Sequence, residues 1–481
     1  MSMSTTEVDA GGGKSASGAS RLDAFFQISE RGSTVGREIR GGLVTFFTMA
    51  YILVLNPVIL GGTTDVNGDQ LEVAQLVTVT ALVAAVMTLL MGVTANLPIA
   101  LAAGLGLNAM VAYGLAPIMT WPEAMGLVVL EGLLICALAV TGLREKVMQA
   151  IPMPVKQAIG VGIGLFIAFI GVINAGFAGP GDGTPVTLGD GGALRGWPVL
   201  VFCLGVLLTF TLLARKVKGA ILISIVAMTV LAVIINTVAD DVQWGLTTPE
   251  LPGGISDIVA APDFGLVGAF SLFGAFGQIS VITVVLLIFT LFLTDFFDTM
   301  GTAVAVTNEA GLLEDGRPPR LGRLLFVDGL ATVGGGACSA SSNTAYIESA
   351  SGVGEGARTG LANIVTGGLF ALALFFAPLA SAVPAQAASP ALVVVGFLMM
   401  TQVAGIDWKS YDLAIPAFVI IAVMPFTYSI TNGIGAGFIA YVVVKAAMGR
   451  TREVHWLMWV TAAMFLVYFA IDPIEQVLGI R

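Results

Sequence analysis

The chain holds a single histidine, His455, and three cysteines, Cys136, Cys203 and Cys338. One imidazole leaves little room for histidine-based catalysis. The cysteines all sit in apolar runs without metal-type spacing, so neither a zinc site nor a disulfide framework is expected. Charge is scarce too: 11% of residues are Asp, Glu, Lys or Arg, against about 25% in an ordinary soluble domain. The balance is acidic, a net −10, which excludes nucleic acid as a partner. No GxxxxGK[ST] motif occurs, which argues against an ATP-driven pump. Residues 1–20, MSMSTTEVDAGGGKSASGAS, have no apolar h-region and read as a disordered tail. No cleaved signal peptide is expected, and the first spanning helix serves as its own signal.

What is present is apolar residue, 57% of the chain, with mean hydropathy +0.94. This composition belongs to an all-α polytopic membrane protein. Runs long enough to span, or broken by Gly and Pro, fall near 41–60, 74–95, 98–116, 124–142, 155–174, 197–214, 218–238, 278–305, 322–336, 338–354, 357–380, 388–404, 412–428 and 432–448. That makes fourteen, and 455–472 is a fifteenth segment that either spans or lies in the interface. Basic residues test the count, because they collect on cytoplasmic loops. Lys14, Arg21, Arg31, Arg37 and Arg40 precede run one; Arg144, Lys146 and Lys156 follow run four; Arg215, Lys216 and Lys218 follow run six. Arg317, Arg320 and Arg323 follow run eight, Arg358 run ten, Lys409 run twelve, and Arg450 with Arg452 run fourteen. With the N-terminus cytoplasmic all of these share one side; of the basic residues in loops or tails only Arg195 lies clearly outside, and Arg481 is assigned to neither side.

Between Asp263 and Glu309 the only charged residues are Asp295 and Asp298, in LLIFTLFLTDFFDTMGT. A carboxylate at the bilayer centre costs about 2.5–3.5 kcal/mol on insertion scales, so such groups face a cavity, a partner or an ion path. At a spacing of three the pair is expected on one helical face. The bland alternative is a pair that only bonds helices together. Glu131 and Asp328 are further intramembrane acids, read equally as functional groups or as helix bridges.

Spacing repeats along the chain. From the start of run one to Asn108 is about 67 residues and from the start of run eight to Glu348 about 70; Asn108 to Pro154 is 46 and Glu348 to Pro390 is 42. Two halves of seven spans are necessarily inverted, an arrangement that points to a secondary transporter with a midplane site. Run three, LPIALAAGLGLNAMVAYGLAP, and run ten, GGGACSASSNTAYIESASGVGEG, are too Gly-rich or polar for lipid-facing helices. Irregular backbone at membrane depth is tolerated only inside protein or along a cavity. Each is therefore expected as a short extended stretch followed by a half helix, whose free N–H groups suit a polar ligand.

Asp295, Asp298, Glu348 and Asn108 supply acceptors and one amide, with Gly106, Asn343 and Thr344 beside them. That set suits a planar heterocycle such as a purine base, whose ring N–H groups donate to carboxylates. Phe292, Phe296, Phe297 and Tyr346 are candidates to stack on it, against the commoner role of packing. Because substrate bonding and burial both alter a carboxylate's affinity for protons, the same acids offer a route to proton coupling.

At these residues the chain resembles the AzgA-like adenine/guanine/hypoxanthine permeases of the nucleobase/ascorbate transporter superfamily. The likeness runs from about residue 24 to 450, through FFQISERGSTVGREIRGGLVTFFTMAYILVLNP, GLGLNAMVAY, MPVKQAIGVGIGLFIAFIGV, DFFDTMGTAVAVTNEAGLL, NTAYIESASGVGEGARTGL and MPFTYSITNGIGAGF. GACSASSNTAYIES departs from the family's GTS and threonines, and GLGLN from its GMGLN. The resemblance implies fourteen spans in two inverted repeats of seven. It implies a core domain from 21–153 and 278–384, a gate domain from 154–240 and 385–450, an external loop at 241–277 and a C-terminal segment at 451–481. It further implies plasma-membrane uptake of purine nucleobases by proton symport, with no cofactor beyond the proton gradient, and a homodimer through the gate domains. Purine contacts carry over to Asn108, Asp295 and Glu348, with Gly106 flanking. Asp298 matches a network or proton-linked position, and the two aspartates are open to exchange of roles. Two other functions compete. An anion transporter of the same fold conflicts with three acids and no basic residue in runs three, eight or ten. An intramembrane aspartyl protease needs two aspartates facing from two helices, whereas Asp295 and Asp298 share one. A passive channel would need a continuous lined pore.

Overall fold

The computed structural model describes residues 21–141, 151–181, 183–239, 242–245 and 247–470. The expected tail at 1–20, Arg144 and Lys146, and residues 471–481 lie outside these. Among the described residues ten helices are long and apolar enough to cross a membrane. The protein is thus a multi-pass helical membrane protein. The first of the ten, Val35–Leu60, is interrupted at Ala50 and Tyr51, giving α1 (Val35–Met49) and α2 (Ile52–Leu60). There follow α3 (Val73–Thr94), the strand β1 (Leu101–Ala103), the half helix α4 (Leu105–Met110), α5 (Trp121–Thr141) and α6 (Met153–Asn174). A hairpin of β2 (Ala178–Gly181) and β3 (Thr184–Leu188) leads to α7 (Trp197–Ala214) and α8 (Ala220–Val238). After a loop come α9 (Val281–Glu309), α10 (Leu321–Ala337), the strand β4 (Asn343–Ala345), the half helix α11 (Ser349–Gly354) and α12 (Leu361–Ala373). The chain continues with α13 (Ala385–Met400), α14 (Tyr411–Phe426), α15 (Ile430–Ala447) and α16 (Trp456–Phe469).

The expected runs that are not long helices fail for local reasons. Runs three and ten break at β1 and β4. Run nine is the 17-residue α10 and run thirteen the 16-residue α14, the latter carrying Pro416 and Pro425 inside the helix. The extra C-terminal segment is the 14-residue α16, about 21 Å long at 1.5 Å per residue and so shorter than the ~30 Å hydrocarbon layer. It packs on α15, where Phe465 meets Phe438 edge-on at 6.3 Å and fills the space beside Gly435.

Small residues set which helices touch. A Cβ on Gly132 of α5 would lie 2.6 Å from Val333 N of α10, and one on Gly329 of α10 would lie 2.9 Å from Cys136 N of α5. Backbones meet there directly, which holds Glu131 and Asp328 at one interface. α3 packs on α12 and on α10, and α1 on α12 and α11. A second set of contacts joins α6 to α13 and α14, α7 to α8 and α13, and α14 to α15. Gly164 of α6 faces Gly396 of α13 in backbone contact. α9 and α4 touch both sets through α6.

Candidate functional site

The two broken segments cross each other as an antiparallel pair, Leu101 opposite Ala345, Ala102 opposite Thr344 and Ala103 opposite Asn343. All six residues are buried, so each backbone group requires a partner within the protein. Gly104 N donates to Ser342 O at 2.9 Å and Tyr346 N to Ala100 O at 3.0 Å, extending the ladder at both ends. Thr88 of α3 donates its hydroxyl to Leu101 O and accepts from Leu101 N. Asn363 of α12 donates to Leu97 O and Ile99 O at 2.9 and 2.7 Å, and Asn56 of α2 to Ala340 O at 3.1 Å. Ser339 and Ser341 turn the chain into β4 with positive φ of 55° and 68°.

α9 runs past both half helices, in contact with α4 and with α11. Its two aspartates do not share an environment. Three residues advance a helix by about 300°, which leaves the side chains ~60° apart around the axis. Here that angle goes with a difference in cover: Asp295 is fully buried while Asp298 is exposed. The two remain neighbours on one side of α9, as a spacing of three requires, but they differ in burial. Asp295 Oδ2 accepts from Thr332 Oγ1 of α10 at 2.8 Å and from Ser342 Oγ at 3.1 Å. Its Oδ1 has no partner among the described residues. Asp298 interacts electrostatically with Asp295, Glu348 and the buried Tyr51 and Tyr346. It therefore lies within reach of the groups at the break between α1 and α2, on α9 and on the β4–α11 segment.

Glu348 is half-buried and occupies the cap position of α11. Tyr51, at the break between α1 and α2, donates its hydroxyl to Glu348 Oε1. Asn108 of α4 is fully buried, yet among the described residues neither its Nδ2 nor its Oδ1 has a partner. It is an amide with its whole bonding capacity unused.

The remaining expected residues fall mainly into structure. Thr344 Oγ1 bonds Thr299 Oγ1 at 2.6 Å, and Thr299 donates to Asp328 Oδ1 at 2.7 Å. Asn343 donates to Ser341 O at 3.1 Å while its Oδ1 is unpartnered. Gly106 is where α4 meets α6, since a Cβ there would lie 2.7 Å from Ile163 Cγ2. Phe292 and Phe296 are buried in a ladder with centroids 5.5 Å apart. Lys156 Nζ sits over the Phe297 ring at 5.1 Å, and Tyr346 donates its hydroxyl to Ala103 O at 2.5 Å. Each of the four rings thus already has a partner within the protein. Sequence reasoning did not single out Tyr51, Thr299 or Thr332. A hydroxyl in an apolar helix at the level of the acids is the signal that was available.

Residues 36–471 match the Permease family (Xan_ur_permease). The guanine/hypoxanthine permease PbuG of Bacillus subtilis is 38% identical over 458 residues, 93% of this chain and 99% of that protein. The adenine permease AdeP of Escherichia coli is 36% identical over 455 residues, 94% of this chain and 96% of that one. Among solved structures, the transmembrane domain of a cyanobacterial bicarbonate transporter, BicA, superimposes with TM-score 0.58 at 15% identity, over 82% of this chain and 97% of that domain. SLC26A9 does so with TM-score 0.60 at 10% identity, over 86% and 66%; at such identity the likeness is one of fold. These relatives are permeases, so the protein is a transporter and not an enzyme. With its signature segments matched almost end to end, the chain belongs to the Permease family, in the branch of the adenine, guanine and hypoxanthine permeases.

Proposed function

We propose that this protein imports purine nucleobases by proton symport, with its N-terminus in the cytoplasm and the plasma membrane as its location. The observation that carries the reading is Asn108: a buried amide on α4 with no partner among the described residues, on an element that α9 joins to the acids Asp298 and Glu348. A base lying there accepts and donates at once with the amide, and its ring N–H groups bond the carboxylates. Relatives named as guanine/hypoxanthine and adenine permeases support the same ligand class. Exposure favours Asp298 for direct contact and Asp295 for the network behind it, which exchanges the roles expected from the resemblance. Gly106 flanks the site, and Asn343 and Thr344 hold β4 in position.

The proposed architecture is fourteen spans in two inverted repeats of seven. Spans 1–4 and 8–11 form a core that carries substrate, and spans 5–7 and 12–14 form a gate. The two sets of helix contacts support that division, and a homodimer forms through the gate. The acids around the site disfavour an anion as cargo, and the cargo's energy comes from the proton gradient without a cofactor. Uptake of radiolabelled hypoxanthine, adenine and guanine into cells expressing the chain tests this reading. Saturable uptake that collapses with a protonophore is expected. Uptake of sulfate or bicarbonate with no uptake of any base overturns it.

A further inference from the structure

Behind the exposed Asp298 lies a second group of acids that substrate binding does not use. Glu131 of α5 is fully buried, and neither of its carboxylate oxygens has a hydrogen-bond donor among the described residues. It faces Asp295 of α9, Asp328 of α10 and the Ser342 hydroxyl. Asp295 Oδ1 and Asp328 Oδ2 are likewise buried without a donor. Asp328 is reached by Asp295 and Asp298, and Cys136 of α5 lies beside it. Beside Ser342 in sequence, Asn343 Oδ1 is also fully buried without a donor among the described residues.

This is an excess of acceptors. Ionised carboxylates only accept, and hydroxyls from Thr332, Ser342 and Thr299 satisfy just one oxygen on each aspartate. A cation is one remedy, but among the described residues no group of three acidic or His/Cys side chains is arranged to hold a metal ion. A proton is the other. One proton turns one carboxyl into a donor toward its neighbour and removes the repulsion of two facing charges.

We propose that Glu131 and Asp295 share one proton and form the store that is filled and emptied during transport. This rests on the proton-symport reading above. In the filled state the Glu131 hydroxyl donates to Asp295 Oδ1, and the pair carries one negative charge. In the emptied state the proton has passed to Asp298, one turn along α9, and the pair carries two. Glu131 touches no substrate in this scheme; it acts by setting when Asp295 releases its proton.

The test is Glu131→Gln in proteoliposomes, read as two fluxes of radiolabelled hypoxanthine. Exchange against unlabelled hypoxanthine needs no net proton movement, whereas accumulation driven by a pH gradient does. The variant is expected to keep exchange and to lose accumulation by about tenfold or more, the size of an ordinary coupling free energy. Accumulation equal to wild type overturns the proposal. A wild type that exchanges but ignores the pH gradient defeats the symport reading itself, so the two failures are distinguishable. If the variant does not fold, infrared spectra of the wild type supply the second readout. A protonated buried carboxyl gives a C=O stretching band at neutral pH, and its absence overturns the proposal.

Discussion

Replacing Asn108 by leucine separates a ligand-binding amide from a structural one. The two side chains are close in size, and the native amide is fully buried with no partner for either polar atom among the described residues. A buried polar group without a partner costs about 1–3 kcal/mol, whereas an apolar group of similar shape is neutral or stabilising. Asn108→Leu is therefore expected to raise the unfolding temperature of the ligand-free protein or leave it unchanged. Binding moves the other way. If a purine base takes one bond from the amide nitrogen and gives one to its oxygen, each is worth about 0.5–1.5 kcal/mol net. Losing both removes about 1–3 kcal/mol, or roughly 5- to 150-fold in Kd. Thermal unfolding with and without hypoxanthine, together with calorimetric titration, measures both sides on one preparation. A variant that is less stable yet binds purine as well as wild type refutes the argument.

The two aspartates of α9 are expected to diverge. Asp295→Ala strips the acceptor from Thr332 and Ser342 inside the protein and should cost about 1–3 kcal/mol of stability. Asp298→Ala, on the exposed side, should leave the melting temperature nearly unchanged while uptake is lost; equal destabilisation by both contradicts the split. Tyr51→Phe removes the hydroxyl that orients Glu348, and at about 1.5–3 kcal/mol for a bond to a charged group purine affinity should fall tenfold or more. An unchanged Kd by titration would show that the tyrosine does not position the acid. At the end of α11, the Lys218 ammonium beside Glu355 holds that carboxyl below its ordinary value, with Arg40 adding to it. The stabilisation from this pairing is then full above the unfolded glutamate value and fades as pH falls through the depressed folded one. The melting-temperature gap between wild type and Glu355→Gln should close in acid; a gap that widens there reverses the sign.

Much of this was legible from local features. Two acids in a hydrocarbon-length run are conspicuous at any register, and Gly104, Gly106 and the serines before Asn343 mark backbone unfit for a lipid-facing helix. β1 and β4 fall within those stretches. What the periodicity did not carry was the direction of each side chain. Asp295 and Asp298 share a helix and lie ~60° apart by helical geometry alone, but which of them is covered is decided by the helices that pack against α9. Tyr51 meets Glu348 across 297 positions of chain, and Glu131 comes to one interface with Asp328 because Gly132 and Gly329 let α5 and α10 touch. Contacts of that range follow from packing and leave no spacing to read. The aromatic residues show the converse: Phe292 and Phe296 have the spacing of a stacking platform, and their partners turn out to be each other.

Direct binding to the purified protein tests the central claim with least intervening machinery. Titration of hypoxanthine, adenine and guanine into wild type and Glu348→Gln should give saturable binding of at least one base that the substitution abolishes while the melting temperature of the free protein is kept. Equal binding by both proteins, or binding of bicarbonate or sulfate in place of any base, would contradict a purine site built on Glu348, Asn108 and Asp298.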